Sequence, residues 1–145
     1  MNSQEITTKL RMIKNKFFCT VHKIIEEHNI TQMEFDLLNC IYFSNREGKQ
    51  IQASTLAKWF DVSIPAVMHK LVSLEEKGMV LKKQDEKDKR VKYYTLTEET
   101  NLQMEELFEQ HKKKVEMYFK ALGEEQEHLN TILDITIQFL EEHND

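Results

Sequence analysis

Apolar residues recur along the start of the chain at helical spacing. Ile6, Leu10, Ile13, Phe17 and Ile24 fall three, four or seven apart, and Phe18, Val21 and Ile25 add a second stripe. The pattern predicts one long helix over residues 4–28, with more apolar surface than one neighbour covers. Thr31-Gln32-Met33-Glu34 reads as a capping box that opens a second helix, with Met33, Leu37, Cys40 and Ile41 inward. A polar break at 45–48 follows, and Ile51 is expected as a single strand residue that pairs later. Two helical runs, 54–60 and 63–77, are separated by Asp61-Val62. Ala57 allows the first to approach the second closely. Ser63 is a natural N-cap, Pro65 suits the first turn, Val67, Leu71 and Leu74 form the inner face, and Gly78 is the stop.

Beyond Gly78 the period changes. Residues 79–83 and 91–96 are short, alternating and rich in β-branched and aromatic side chains, and a charged turn joins them. Thr97 then caps a helix with Glu98 and Glu99 in its first turn, running to about Ala121. Along it Met104, Phe108, His111, Val115, Tyr118 and Leu122 form a seam suited to packing on another helix. Gly123 breaks it. A last helix over 124–142 offers Leu129, Ile132, Leu133, Thr136, Phe139 and Leu140.

These elements predict a mainly α protein: a winged helix-turn-helix with a small two- to three-stranded sheet, flanked by long N- and C-terminal dimerisation helices. The expected organisation is a dimerisation helix over 1–30, a DNA-binding winged domain over 31–97, and dimerisation helices over 98–145. The terminal amphipathic helices exceed what the middle can cover, so a second copy joined about a two-fold axis is expected. Such a homodimer presents two reading helices about one DNA turn apart, to a pseudo-palindromic operator.

Composition supports a helical chain: 145 residues contain three Gly and one Pro. No apolar run approaches the roughly 20 residues of a membrane span. The start of the chain lacks a signal-peptide core, and two irregularly spaced Cys suggest reduced thiols, so a cytoplasmic address is expected.

Net charge is −5, which argues at first against nucleic acid. The distribution reverses that reading. Lys82, Lys83, Lys87, Lys89, Arg90 and Lys92 outnumber Asp85, Glu86 and Asp88 in the hairpin, and acids dominate only after Thr97. Screening limits the reach of that acidic part to about 10 Å. Asp88, two positions before Arg90, can accept the guanidinium and aim it into a narrow groove.

Several of these segments together resemble the multiple-antibiotic-resistance regulator (MarR) family. They are Ile30-Thr31, Leu56-Ala57, Val62-Ser63, Leu74-Glu75-x-x-Gly78, and above all Asp88-x-Arg90 with Leu96-Thr97. The resemblance spans nearly the whole length. It implies a homodimeric regulator of transcription that binds double-stranded DNA, usually a repressor, often relieved by a small-molecule effector or by oxidation. It also implies that Arg90 enters the minor groove and that Asp88 orients it.

The candidate DNA-binding residues are Ser63, Pro65, Ala66, Met68, His69, Lys70 and Ser73 on the reading helix, and Lys82, Lys83, Asp88, Lys89, Arg90 and Lys92 on the wing. Family members often place Thr, Ser and Arg on the reading face. Here only His69, Lys70 and Ser73 offer hydrogen bonds, while Ala66 and Met68 suit thymine methyls. Specificity is therefore expected to lean on apolar contact and groove shape.

Other chemistry is weaker. Cys19, on a polar stripe with His22, is a candidate thiol switch, yet it does not match the position of the family's peroxide-sensing cysteine; Cys40 reads as core. The six histidines are scattered, and His111 precedes three lysines that repel a cation, so neither metal nor cofactor is expected. Phe17, Phe18, Trp59, Tyr118 and Phe119 suit an aromatic core better than an effector cleft. No glycine-rich phosphate loop, GxSxG elbow or paired-carboxylate signature is present, so no enzyme is expected. Two alternatives stand beside the regulator: a winged-helix protein-interaction module with weak DNA binding, and a redox- or metal-responsive regulator.

Overall fold

The computed structural model describes residues 2–143. The element order is α1 (Ser3–Phe17), α2 (Cys19–His28), α3 (Gln32–Arg46), α4 (Ala53–Trp59), α5 (Ile64–Glu76), β1 (Val80–Gln84), β2 (Lys92–Leu96), α6 (Glu98–Leu122), a 3₁₀ turn at Gly123–Glu125, and α7 (Gln126–Glu142). The fold is mainly helical with one two-stranded antiparallel sheet, a winged helix-turn-helix between longer helices.

The single helix expected over 4–28 is two helices. Phe18 leaves helical geometry at φ −106°, ψ 19°. Its N–H still donates to the Lys14 carbonyl, while the Val21 N–H turns to the Phe18 carbonyl at 3.1 Å. Phe17-Phe18-Cys19-Thr20-Val21 joins aromatic, Cys and β-branched residues, all poor helix formers, so the ladder yields there. The two pieces also have different surroundings. Val21, Ile24 and Ile25 of α2 pack on the core, whereas α1 buries no residue. Asn29, left-handed at φ 49°, ends α2, and the Ile30 N–H reaches back to the Ile25 carbonyl.

The core lies in the middle of the chain. Leu37, Leu38 and Ile41 of α3, Leu56 of α4, and Val67, Leu71 and Leu74 of α5 are fully buried, with Met79, Val80 and Tyr94 closing the side under the wing. The capping box of α3 is complete: the Glu34 N–H donates to Thr31 Oγ1 at 3.2 Å, and the Thr31 N–H donates to Glu34 Oε2 at 2.9 Å. After α5, the Met79 N–H reaches the Leu74 carbonyl and the Gly78 N–H the Glu75 carbonyl. This six-to-one, five-to-two pair needs a left-handed residue, which Gly78 supplies at φ 69°. The wing strands pair from Val80↔Leu96 to Gln84↔Lys92. Ile51 adds a single bridge to Tyr94, whose N–H donates to the Ile51 carbonyl at 3.0 Å.

The chain divides into two compact units, one running to Phe108 and the other from Glu109. The expected seam on α6 therefore divides as well. Met104 is buried in the winged unit, together with Thr100 and Leu107, and Phe108 packs on its core. His111, Val115, Tyr118 and Leu122 belong to the second unit, where α7 buries no residue. Within α7, Ile132, Leu133, Ile135, Ile137, Phe139 and Leu140 are all exposed.

Candidate nucleic-acid interface

The wing tip is built by two aspartates. Asp85 makes the turn: Oδ1 accepts the N–H groups of Lys87 at 2.7 Å and Asp88 at 3.4 Å, and Oδ2 accepts the Tyr93 hydroxyl at 3.1 Å. The Asp85 N–H donates to the Val91 carbonyl, the Val91 N–H donates to the Asp88 carbonyl, and Gln84 Nε2 donates to the Lys89 carbonyl at 2.6 Å. The tip is thus closed by side chains on both strands. The N–H of Lys87, the Tyr93 hydroxyl and the N–H of Asp88 together hold the Asp85 carboxyl below its ordinary value, and that carboxylate raises the Tyr93 phenol in turn.

Asp88 then aims Arg90. Its Oδ1 accepts the Arg90 backbone N–H at 3.0 Å and Nε at 3.2 Å, and Oδ2 accepts Nη2 at 3.4 Å. The fork holds the guanidinium at two points, yet the Arg90 side chain is 92% exposed. An ion pair in that much water contributes about 0–1 kcal/mol to folding. What it does here is hold one rotamer outward. Lys89 is exposed beside it. Lys82 and Lys83 are exposed on β1, and cross-strand pairing with Tyr94 and Tyr93 puts them on opposite faces of the hairpin; Lys92 faces Gln84 and shares the face of Lys82.

The reading helix α5 starts where its cap predicts, with the Ala66 N–H donating to Ser63 Oγ at 3.2 Å and Pro65 in the first turn. Ser63, Pro65, Ala66 and His69 are exposed, and Lys70 is half-buried. Two expected readers differ. Met68 packs on the core, where its sulfur accepts the Tyr94 hydroxyl at 3.5 Å. Ser73 is half-buried on the side of Glu34, whose carboxyl it helps to hold below its ordinary value. Both stand beside the inner stripe of Val67, Leu71 and Leu74, and each finds a partner within the protein.

Glu34 explains how α5 is held. Its carboxylate is buried, and besides Thr31 and Ser73 it meets Lys77 Nζ at 3.4 Å. Lys77 also donates to the Asn29 carbonyl at 2.8 Å. Burial alone would raise this carboxyl, but the Thr31 N–H, the Ser73 hydroxyl and Lys77 outweigh it and hold it below its ordinary value. One buried carboxylate therefore ties the start of α3 to the end of the reading helix. Sequence reasoning identified Glu34 as a cap and missed this second duty, because Lys77 lies 43 residues away. It also missed Asp85 as the organiser of the tip. The signal was present: an Asp whose side chain accepts the N–H two residues on is an Asx turn.

Residues 30–92, which hold both the reading helix and the wing tip, match the MarR family model. The winged domain of this chain is similar to that of the MarR family. No curated protein sequence matches the chain. Among solved structures, Streptococcus pneumoniae FabT in complex with DNA superposes with a TM-score of 0.75 at 24% identity, over 97% of this chain and 99% of that one. The S. aureus MepR–DNA complex gives 0.67 at 21% identity, over 92% and 96%. Streptococcus pyogenes AdcR, the adhesin competence repressor, gives 0.63 at 22% identity, over 94% and 96%. Over nearly its whole length the chain has the fold of MarR-family DNA-binding transcriptional regulators. The family and these neighbours are regulators of transcription, not enzymes.

The alternative switches have plain positions in this MarR fold. Cys19 is exposed, and Cys40 is half-buried, its thiol pushed up by burial and by Asp36. Among the described residues no group of three or more His, Cys, Asp and Glu side chains converges on a metal-sized site. No helix among them is long and apolar enough to cross a membrane.

Proposed function

We propose that this protein is a sequence-specific transcriptional regulator that binds a pseudo-palindromic operator in double-stranded DNA as a homodimer, and that it acts in the cytoplasm as a repressor. The observation that carries the reading is Arg90, held outward at the hairpin tip by the two-point fork from Asp88. A cation fixed on a thin hairpin suits the narrow, strongly negative minor groove of AT-rich DNA. Lys82, Lys83, Lys89 and Lys92 supply phosphate contacts on either side of the hairpin. Ser63, Pro65, Ala66, His69 and Lys70 bring the leading end of α5 to the major groove, as in other helix-turn-helix proteins. Met68 and Ser73 brace that helix from behind.

The winged domain, residues 31–97, is the DNA-binding part in this reading, and the helices of 1–30 and 98–145 join the two copies. Support comes from α1 and α7, which bury nothing within one chain although both carry apolar stripes. The repressor role is supported by the likeness to AdcR and by the DNA complexes of FabT and MepR. Relief of repression by a small molecule follows from the family resemblance and is tested by screening for compounds that release bound DNA.

An anisotropy titration with an AT-rich palindromic duplex across salt tests the whole. Binding should weaken steeply as salt rises, because each neutralised phosphate releases counterions. Arg90→Ala should lower affinity by roughly 10-fold or more with an unchanged melting temperature. A monomer that ignores duplex even in dilute buffer would instead support the protein-interaction module.

A further inference from the structure

The reading face of α5 offers few free hydrogen-bonding groups. Ser63 Oγ caps Ala66, Met68 accepts the Tyr94 hydroxyl, and Ser73 lies half-buried on the side of Glu34, which leaves His69 and Lys70. Pro65, His69, Val72 and Glu76 stand outward, three or four residues apart and opposite the buried stripe of Val67, Leu71 and Leu74, so apolar and polar side chains alternate along that row. Val72 is 44% exposed. At the leading end Ala66 is exposed on the flank of this row, while Ile64, 49% exposed, begins the line of Val67, Leu71 and Leu74. Pro65, Ala66 and Val72 are not part of the core, whose members from α5, Val67, Leu71 and Leu74, come from the opposite face of the helix.

The bulky apolar group that base pairs show in the major groove is the C5-methyl of thymine, set among hydrogen-bond donors and acceptors. Apolar side chains set in a groove of polar edges therefore gain contact at thymines and leave donors unpaired at cytosine. We propose that this face recognises the C5-methyl groups of thymines in the operator half-site, with Pro65, Ala66 and Val72 as the contacting side chains and His69 as the hydrogen-bonding reader among them. The inference rests on the DNA-binding reading above and specifies the chemistry that its major-groove half reads. Lys70, half-buried at the edge of this face, is left to the backbone.

The test replaces one atom group. A duplex is selected from random DNA by the full-length protein, and each thymine of its half-sites is changed in turn to deoxyuridine, which removes the methyl and keeps the base pairing. Each contacted methyl should cost about fourfold in affinity, the worth of one buried methyl group, whereas deoxyuridine outside the half-sites should cost nothing. In Val72→Thr, an exposed helix position where folding is not at stake, the uracil penalty should shrink at one position. Tight binding of the parent duplex with no uracil penalty anywhere would overturn the inference and leave the regulator reading standing. An unchanged penalty at every position in Val72→Thr would overturn the assignment of that residue. Failure to bind any duplex at low salt would overturn both.

Discussion

The winged unit and the terminal helices use similar residues to different ends. In the winged unit the apolar positions of α3, α4 and α5 disappear into one core, with Leu37, Leu38, Ile41, Leu56, Val67, Leu71 and Leu74 fully covered. In α1 and α7 the same kinds of side chain stay in water: Leu10, Ile13, Ile132, Ile135 and Phe139 are each more than half exposed. Both sets have helical spacing, so periodicity alone does not separate them. The difference is the number of neighbours. Helix α5, packed on α3, α4 and the sheet, is enclosed, while α1, as long as α3 at 15 residues, has no such set of neighbours. One region encloses its own apolar side chains, and the other leaves them exposed.

That contrast breaks most sharply in the core. Leu37→Ala should destabilise the winged unit by about 2–5 kcal/mol, read as a lower denaturation midpoint, since it opens a cavity in close-packed surroundings. A loss near zero would mean that the core is looser than its burial suggests. Ile135→Asp on α7 should act the other way round. Sedimentation should show self-association weakened at least tenfold, about 1.4 kcal/mol, while the winged unit keeps its helical signal. A variant that stays as fully dimeric as the parent would remove α7 from the interface.

Smaller effects sharpen the comparison inside the winged unit. Glu34→Gln should destabilise it by about 1–3 kcal/mol, because Lys77 and Ser73 are left facing a weaker partner. The sign of the pH dependence follows from the lowered Glu34 carboxyl. A folded-state value below the unfolded one adds stability above the unfolded value, and that stability is lost as pH falls through the folded value. Urea midpoints measured down through the acid range should thus fall less in Glu34→Gln than in the parent; parallel curves would rule out the carboxylate as the source. Asp85→Ala should leave the melting temperature almost unchanged and lower DNA affinity several-fold, because the tip loses the acceptor that gathers Lys87, Asp88 and Tyr93. An affinity equal to the parent's would show that the Asp88 fork alone orients Arg90.

Much of the winged region was legible in the residues. Thr31 and Glu34 as a capping box, Ser63 and Pro65 at the start of α5, Gly78 at its end, and Asp88 beside Arg90 are local patterns, and each stands in the structure where chemistry at short range puts it. The misreadings have a common cause. The break at Phe18 occurs where weak helix formers meet a change of surroundings, and a stripe of apolar residues runs through it without interruption. Met68 and Ser73 read as outward groups because their distant partners, Tyr94 and Glu34, are invisible to spacing.

By itself the order of residues determined the element types, their caps and stops, and the charged hairpin with its Asp–Arg pair, because capping, turn geometry and side-chain period act over a few positions. Only the tertiary structure decided which polar groups of α5 are spent inside the protein and which side chains remain to meet a ligand. Glu34 to Lys77 and Met68 to Tyr94 are contacts across 43 and 26 residues. Closure over such distances is set by the packing of whole helices, which no local pattern records.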